Sequence, residues 1–124
     1  MTADGSRLRP QDLLRVTVHH PGDAVLLAVS GEVDLLSAPV LAGEITAALA
    51  ETPALLVIDL SEVSFLASIG MTVLLKARRE AGATTEIRVV AAEHSVVERT
   101  LRLTGLHEAL AVVATRADAL ARQS

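Results

Sequence analysis

Three short apolar runs, spaced by stretches of helical period, constrain this chain more than any other feature. Residues 24–30 are almost continuously apolar, as are residues 55–60, and residues 86–91 add Ile87, Val89 and Val90. Runs of this length suit strands covered on both faces. Between them, Leu41, Ile45, Ala48 and Leu49 recur at i, i+4, i+7 and i+8, the spacing of one helix face. Strands alternating with helices of this size imply right-handed crossovers and a mostly parallel sheet. A length of 124 residues bounds the chain to one domain of ordinary size.

The flanking signals complete the pattern. Residues 15–20 alternate, with Val16 and Val18 on one face, and Pro21-Gly22-Asp23 follows as a turn. A hairpin with the next run would make this first strand an antiparallel edge. Gly31-Glu32-Val33-Asp34 ends the first apolar run; Ser37 is placed to cap a helix, with Pro39 near its first turn and Thr52-Pro53 as its stop. Residues 61–67, which include Phe65, are expected as a loop. A helix starting at Ser68 would bury Gly70, Val73, Leu74, Ala77 and Ala81, with Gly82 just past its end. A helix over residues 95–106 would carry Val97, Thr100, Leu101 and Thr104 on one face and Glu98, Arg99 and Arg102 on the other, and end near Gly105. Residues 111–113 read as a short strand, and Thr115 as the cap of a last helix over 116–122. Residues 1–12 carry Gly5, Pro10 and several charges without an apolar period, and are expected as a flexible tail before a domain over 13–124. The expected fold is a single α/β domain: a mostly parallel four- to five-stranded sheet with an antiparallel edge strand and about four helices.

Composition narrows the functions open to such a domain. With one Phe and neither Tyr nor Trp, the chain lacks a stacking platform for single-stranded nucleic acid and an aromatic cage for quaternary ammonium groups. A net charge of −4 argues against a phosphate-backbone binder. The absence of cysteine removes disulfides, zinc–cysteine sites and thiol nucleophiles, and suits a reducing compartment. No apolar stretch approaches the ~20 residues of a membrane span, and nothing near the N-terminus resembles a signal peptide. The expectation is a cytoplasmic domain with no membrane and no nucleic acid among its partners.

Catalytic and metal constellations are weak. His19 and His20 are strand neighbours and point to opposite faces, while His94 and His107 stand apart in sequence. No phosphate-cradling glycine loop and no nucleophile elbow occurs. Glu32, Asp34, Asp59 and Glu62 fall near strand ends, where a pair could do acid–base work. A simpler role for Asp59 is to bond backbone amides of the following segment. Neither cofactor nor metal is implied. On a helical wheel Ser68, Met71, Thr72, Leu75 and Arg79 lie opposite the apolar face. A hydroxyl with Met71 and Leu75 beside it suggests a docking surface, unless another element covers them or Ser68 merely caps the helix.

Residues 57–74, with Asp59-Leu60-Ser61 and Ala67-Ser68-Ile69-Gly70 at their centre, resemble the signature of STAS domains, the anti-sigma factor antagonists of bacteria. Val29-Ser30-Gly31-Glu32-Val33-Asp34 before a helix is a second match, and Leu103-Thr104-Gly105-Leu106 is similar to the family's helix end near the C-terminus. The resemblance implies a non-enzymatic regulator that binds an anti-sigma factor, often a serine kinase of the histidine-kinase-like ATPase type, and so releases a sigma factor. It implies phosphorylation of Ser68 as the switch, with a PP2C-type phosphatase reversing it. The implied docking face comprises Gly31, Glu32, Asp34, Ala67, Ser68, Ile69, Met71, Thr72 and Leu75. Where the family usually has Asp-Ser-Ser-Gly or Asp-Ser-Thr-Gly, this chain has Ala67-Ser68-Ile69-Gly70. The alternative within the fold is an unphosphorylated STAS subunit of another assembly, such as a lipid-transport complex or a stress-signalling scaffold.

Overall fold

Pro21-Gly22-Asp23 reverses the chain, with Gly22 at φ +62°. The computed structural model describes residues 10–121. A single helical turn, α1 (Pro10–Leu13), leads into β1 (Leu14–His19), and the reversal pairs β1 antiparallel with β2 (Ala24–Val33). The chain continues through α2 (Ala38–Ala50), β3 (Leu55–Leu66), α3 (Ser68–Ala81), β4 (Glu86–Val90), α4 (Val96–Leu103), α5 (Leu106–Ala109), β5 (Val112–Val113) and α6 (Arg116–Leu120). The sheet order is β1-β2-β3-β4-β5, parallel everywhere except at the β1 edge. This is the expected α/β domain. Most of the expected tail, residues 1–9, lies outside the described residues.

The continuous apolar runs are explained by cover on both faces. Alternate residues Val25, Leu27, Val29, Leu56, Ile58, Leu60, Ile87 and Val89 pack with Leu41, Ile45, Leu74, Ala77, Val97 and Leu101 from α2, α3 and α4. The intervening residues Ala24, Leu26, Leu55, Val57 and Val90 pack with Ala119 and Leu120 of α6. Burying a side chain of this size stabilises by about 1.5–3 kcal/mol, so an aliphatic core suffices without aromatic residues.

Four local expectations are corrected. The segment expected as a loop, residues 61–67, is mostly strand: β3 runs on to Leu66 beside β2. Ala28 pairs with Asp59 and Ser30 with Glu62; Gly31 pairs with Val63 and Glu32 with Phe65. Each step inserts one extra residue in β3, and each is a β-bulge. Two bulges turn the inward positions from every second residue to every third, namely Leu60, Val63 and Leu66. The helix expected over 95–106 is divided, because Gly105 takes the left-handed conformation at φ +80° and separates α4 from α5. Ser37 stands before α2 in a helical conformation and makes no side-chain cap. Val73 is only half-buried in α3, at the groove facing α2.

Candidate docking site around Ser68

The C-terminal ends of β2 and β3 build the site. Gly31 adopts φ +109°, and a Cβ there would stand 2.1 Å from the carbonyl oxygen of Leu13, so the crossing of α1 and β2 requires glycine. Beyond it Val33 accepts a hydrogen bond from the amide of Ala67 at 2.8 Å, which ties the end of β2 to the start of α3. Gly70 lets the helix descend onto these strand ends: a Cβ would meet Leu66 Cδ1 at 2.5 Å and Val33 Cγ1 at 2.7 Å.

The β2–α2 connection is locked by Asp34 and Ser37. The Asp34 carboxylate accepts from the amides of Leu36 (2.9 Å) and Ser37 (3.0 Å). The Ser37 hydroxyl donates to the Glu32 carbonyl (2.7 Å) and accepts from the Asp34 amide (2.9 Å). The Ser37 amide above all holds the Asp34 carboxyl below its ordinary range, against a smaller opposing effect of burial. Asp34 therefore shapes the loop, and its product is an exposed apolar pair, Leu35 (75% exposed) and Leu36 (59% exposed). Leu35 lines an apolar groove between α2 and α3 with Ala38, Pro39, Ala42, Ile69 and Val73.

Ser68 is the first residue of α3 and is exposed; the N-cap is Ala67, which offers no side-chain cap. The capping role for Ser68 is thereby excluded. Thr72, one turn on, is exposed, and its hydroxyl donates to the Ser68 carbonyl at 3.2 Å. Glu32 is exposed opposite Phe65, itself 48% exposed. The structure thus brings Gly31, Glu32, Asp34, Ala67, Ser68, Ile69 and Thr72 to one end of the sheet. Met71 and Leu75 differ from the wheel: both are half-buried against the main core, and Leu75 sits about 10 Å further along the helix from Ser68. Leu35, Leu36 and Phe65 complete the exposed apolar character of this end. The sequence signal for the leucines was two adjacent apolar residues between Asp34 and Ser37, in a segment with no strand or helix period to absorb them.

The carboxylates do not converge on a reaction centre. Asp59 is buried on the α6 face of the sheet, where its Oδ1 accepts from the amide (2.9 Å) and hydroxyl (2.6 Å) of Ser61, and its Oδ2 accepts from Arg116 Nε. Burial pushes this carboxyl up, but the bond from Arg116 and those from Ser61 outweigh it and hold it below its ordinary value. Glu62 is exposed on β3. His20 meets Glu51 at 3.2 Å and His107 meets Glu98 at 3.6 Å, while His19 and His94 are exposed. Among the described residues no cluster of three or more metal-ligating side chains occurs, and no helix is long and apolar enough to cross a membrane.

A profile of the STAS domain matches residues 15–119. The chain is 37% identical over 109 residues to the anti-sigma-F factor antagonist RsfB of Mycobacterium tuberculosis, covering 88% of each. Its structure is similar to a crystal structure of an anti-sigma factor antagonist from Mycobacterium paratuberculosis, with a TM-score of 0.82, 36% identity, and 91% and 96% of the two chains covered. The anti-sigma factor antagonist SpoIIAA in its unphosphorylated form shares the fold at a TM-score of 0.70 and 18% identity, over 85% and 92% of the two chains. By profile, sequence and fold together, the chain belongs to the STAS domain family.

Proposed function

We propose that this chain acts by binding rather than by catalysis: it binds an anti-sigma factor and so releases a sigma factor, with phosphorylation of Ser68 as the switch. The observation that carries the reading is the exposed Ser68 hydroxyl at the first turn of α3, on the sheet end that also presents Leu35, Leu36 and Phe65. Relatives named as anti-sigma factor antagonists support the partner class. Gly31, Glu32, Asp34 and Ala67 shape this end, Ile69 and Thr72 flank the serine, and Met71 and Leu75 support the helix from beneath.

A phosphate on Ser68 adds a charge of about −1.5 to −2 at neutral pH. The amino end of a helix favours an anion, and α3 has no acidic residue in its first turn. The domain therefore stays folded, while a partner packed over Ser68 meets bulk and charge. The modifying enzyme in this reading is the anti-sigma factor itself, a serine kinase of the histidine-kinase-like ATPase type, and a PP2C-type phosphatase restores the serine.

Affinity capture with the full chain, followed by mass spectrometry of the partner and of Ser68, tests the reading. The expected result is an anti-sigma factor bound to chain that is unmodified at Ser68. Recovery instead of transport-complex or scaffold subunits, with Ser68 never modified, would overturn it.

A further inference from the structure

Asp59 is the last residue of β3 before the first bulge, and it lies on the sheet face opposite α2, α3 and α4. The bulge takes Leu60 and Ser61 out of the regular ladder, and the Ser61 amide and hydroxyl both turn to Asp59 Oδ1. Asp59 Oδ2 is held by Arg116, the first residue of α6, which is 57 positions away in sequence. The Asp59 side chain is 2% exposed, whereas that of Arg116 is half exposed. A carboxylate so buried depends on a charge partner. Its only ion-pair partner among the described residues comes from α6, a short helix anchored on the sheet by Ala119 and Leu120.

We propose that Arg116 is a positioning residue for the docking surface at the end of the sheet. By holding Asp59 it fixes the bulge at Leu60–Ser61, and that bulge sets the register of Val63 and, together with the second bulge, of Phe65, Leu66 and Ser68 beyond it. The link continues through the Ala67 amide, bonded to Val33, into the first turn of α3. Without Arg116, the Asp59 carboxylate turns to water or takes up a proton, and its hold on Ser61 slackens. The functional consequence rests on the docking role proposed above; the coupling itself does not.

Residue-resolved amide hydrogen exchange on the full chain tests the coupling, comparing the native protein with Arg116→Ala and Arg116→Lys. Arg116→Ala is expected to speed exchange at the Ser61 and Ala67 amides about tenfold, while amides of the β1–β2 hairpin and of β4 change less than about twofold. Arg116→Lys is expected to recover most of the protection. Affinity for the purified anti-sigma factor recovered by capture is expected to fall in the same order. Unchanged exchange at Ser61 and Ala67 would overturn the proposal, and so would uniform acceleration across all strands, which a general stabilising contact produces. Local loosening with full affinity would also overturn the positioning role. A native chain that binds no anti-sigma factor defeats the docking reading instead, and the exchange pattern then decides the coupling by itself.

Discussion

Along β3, residues 55–59 pair flush with β2 and residues 55–60 bury every side chain, whereas the stretch from Leu60 to Leu66 pairs through two bulges, and beyond Leu60 only Val63 and Leu66 are buried. Both halves belong to one strand and share β2 as a partner, but only the first half, Leu55 to Asp59, is also paired with β4 on its other edge. The flush half sits under helices on both faces and holds the core. In the bulged half the freed positions turn outward: Ser61, Glu62, Ser64 and Phe65 are exposed. The second half thus gives up burial for a rigid surface, and it delivers the chain to Ser68 at the start of α3. This half is held by Val63 and Leu66 in the core and by hydrogen bonds from Ser61 to Asp59, from Ser64 to the Gly31 carbonyl at 3.4 Å, and from Ala67 to Val33.

The contrast can be broken from either side. Leu56→Ala, in the flush half, is expected to destabilise by about 2–5 kcal/mol, because the site is fully buried and cannot collapse; denaturant unfolding reads this directly. Gly70→Ala forces Leu66 and Val33 apart where the bulged half meets α3. It is expected to destabilise by about 1–3 kcal/mol and to weaken partner binding by tilting the helix. Phe65→Ala sharpens the division most. With the ring half in solvent, it is expected to lower stability by only about 1 kcal/mol, yet to weaken partner binding at least about tenfold. Calorimetry and titration on the same variant separate the two effects. Equal losses in both would erase the distinction between the halves.

The flush half was legible in the sequence and the bulged half was not, for one physical reason. A strand reveals itself by a period of two or by a nearly unbroken apolar run, and Leu55 to Leu60, interrupted by Asp59 alone, satisfies the second. Leu60, Val63 and Leu66 recur at a period of three, which matches neither strand nor helix, so the segment reads as a loop although β2 pairs with it throughout. Gly105 reads as a terminus, but the added turn of α5 beyond it is hidden because Leu106 continues the apolar pattern. Ser68 stands out in the sequence by its place at the head of an amphipathic helix. A wheel assigns one buried face and leaves open whether another element covers Met71 and Leu75; both are half-buried, because α3 has core contacts beyond that face. Asp59 reads as a strand-end residue bonding the next amides, which the Ser61 bond shows; Arg116, so distant in sequence, has no local signal.

Ser68→Asp carries the central claim most directly, because it places a negative charge at the head of α3 without touching the core. Its affinity for the anti-sigma factor should fall at least about tenfold, with a melting temperature close to that of the native chain. Unchanged affinity, or a loss of binding that merely follows a collapse in melting temperature, would contradict the account of Ser68 as the switch of a folded docking surface.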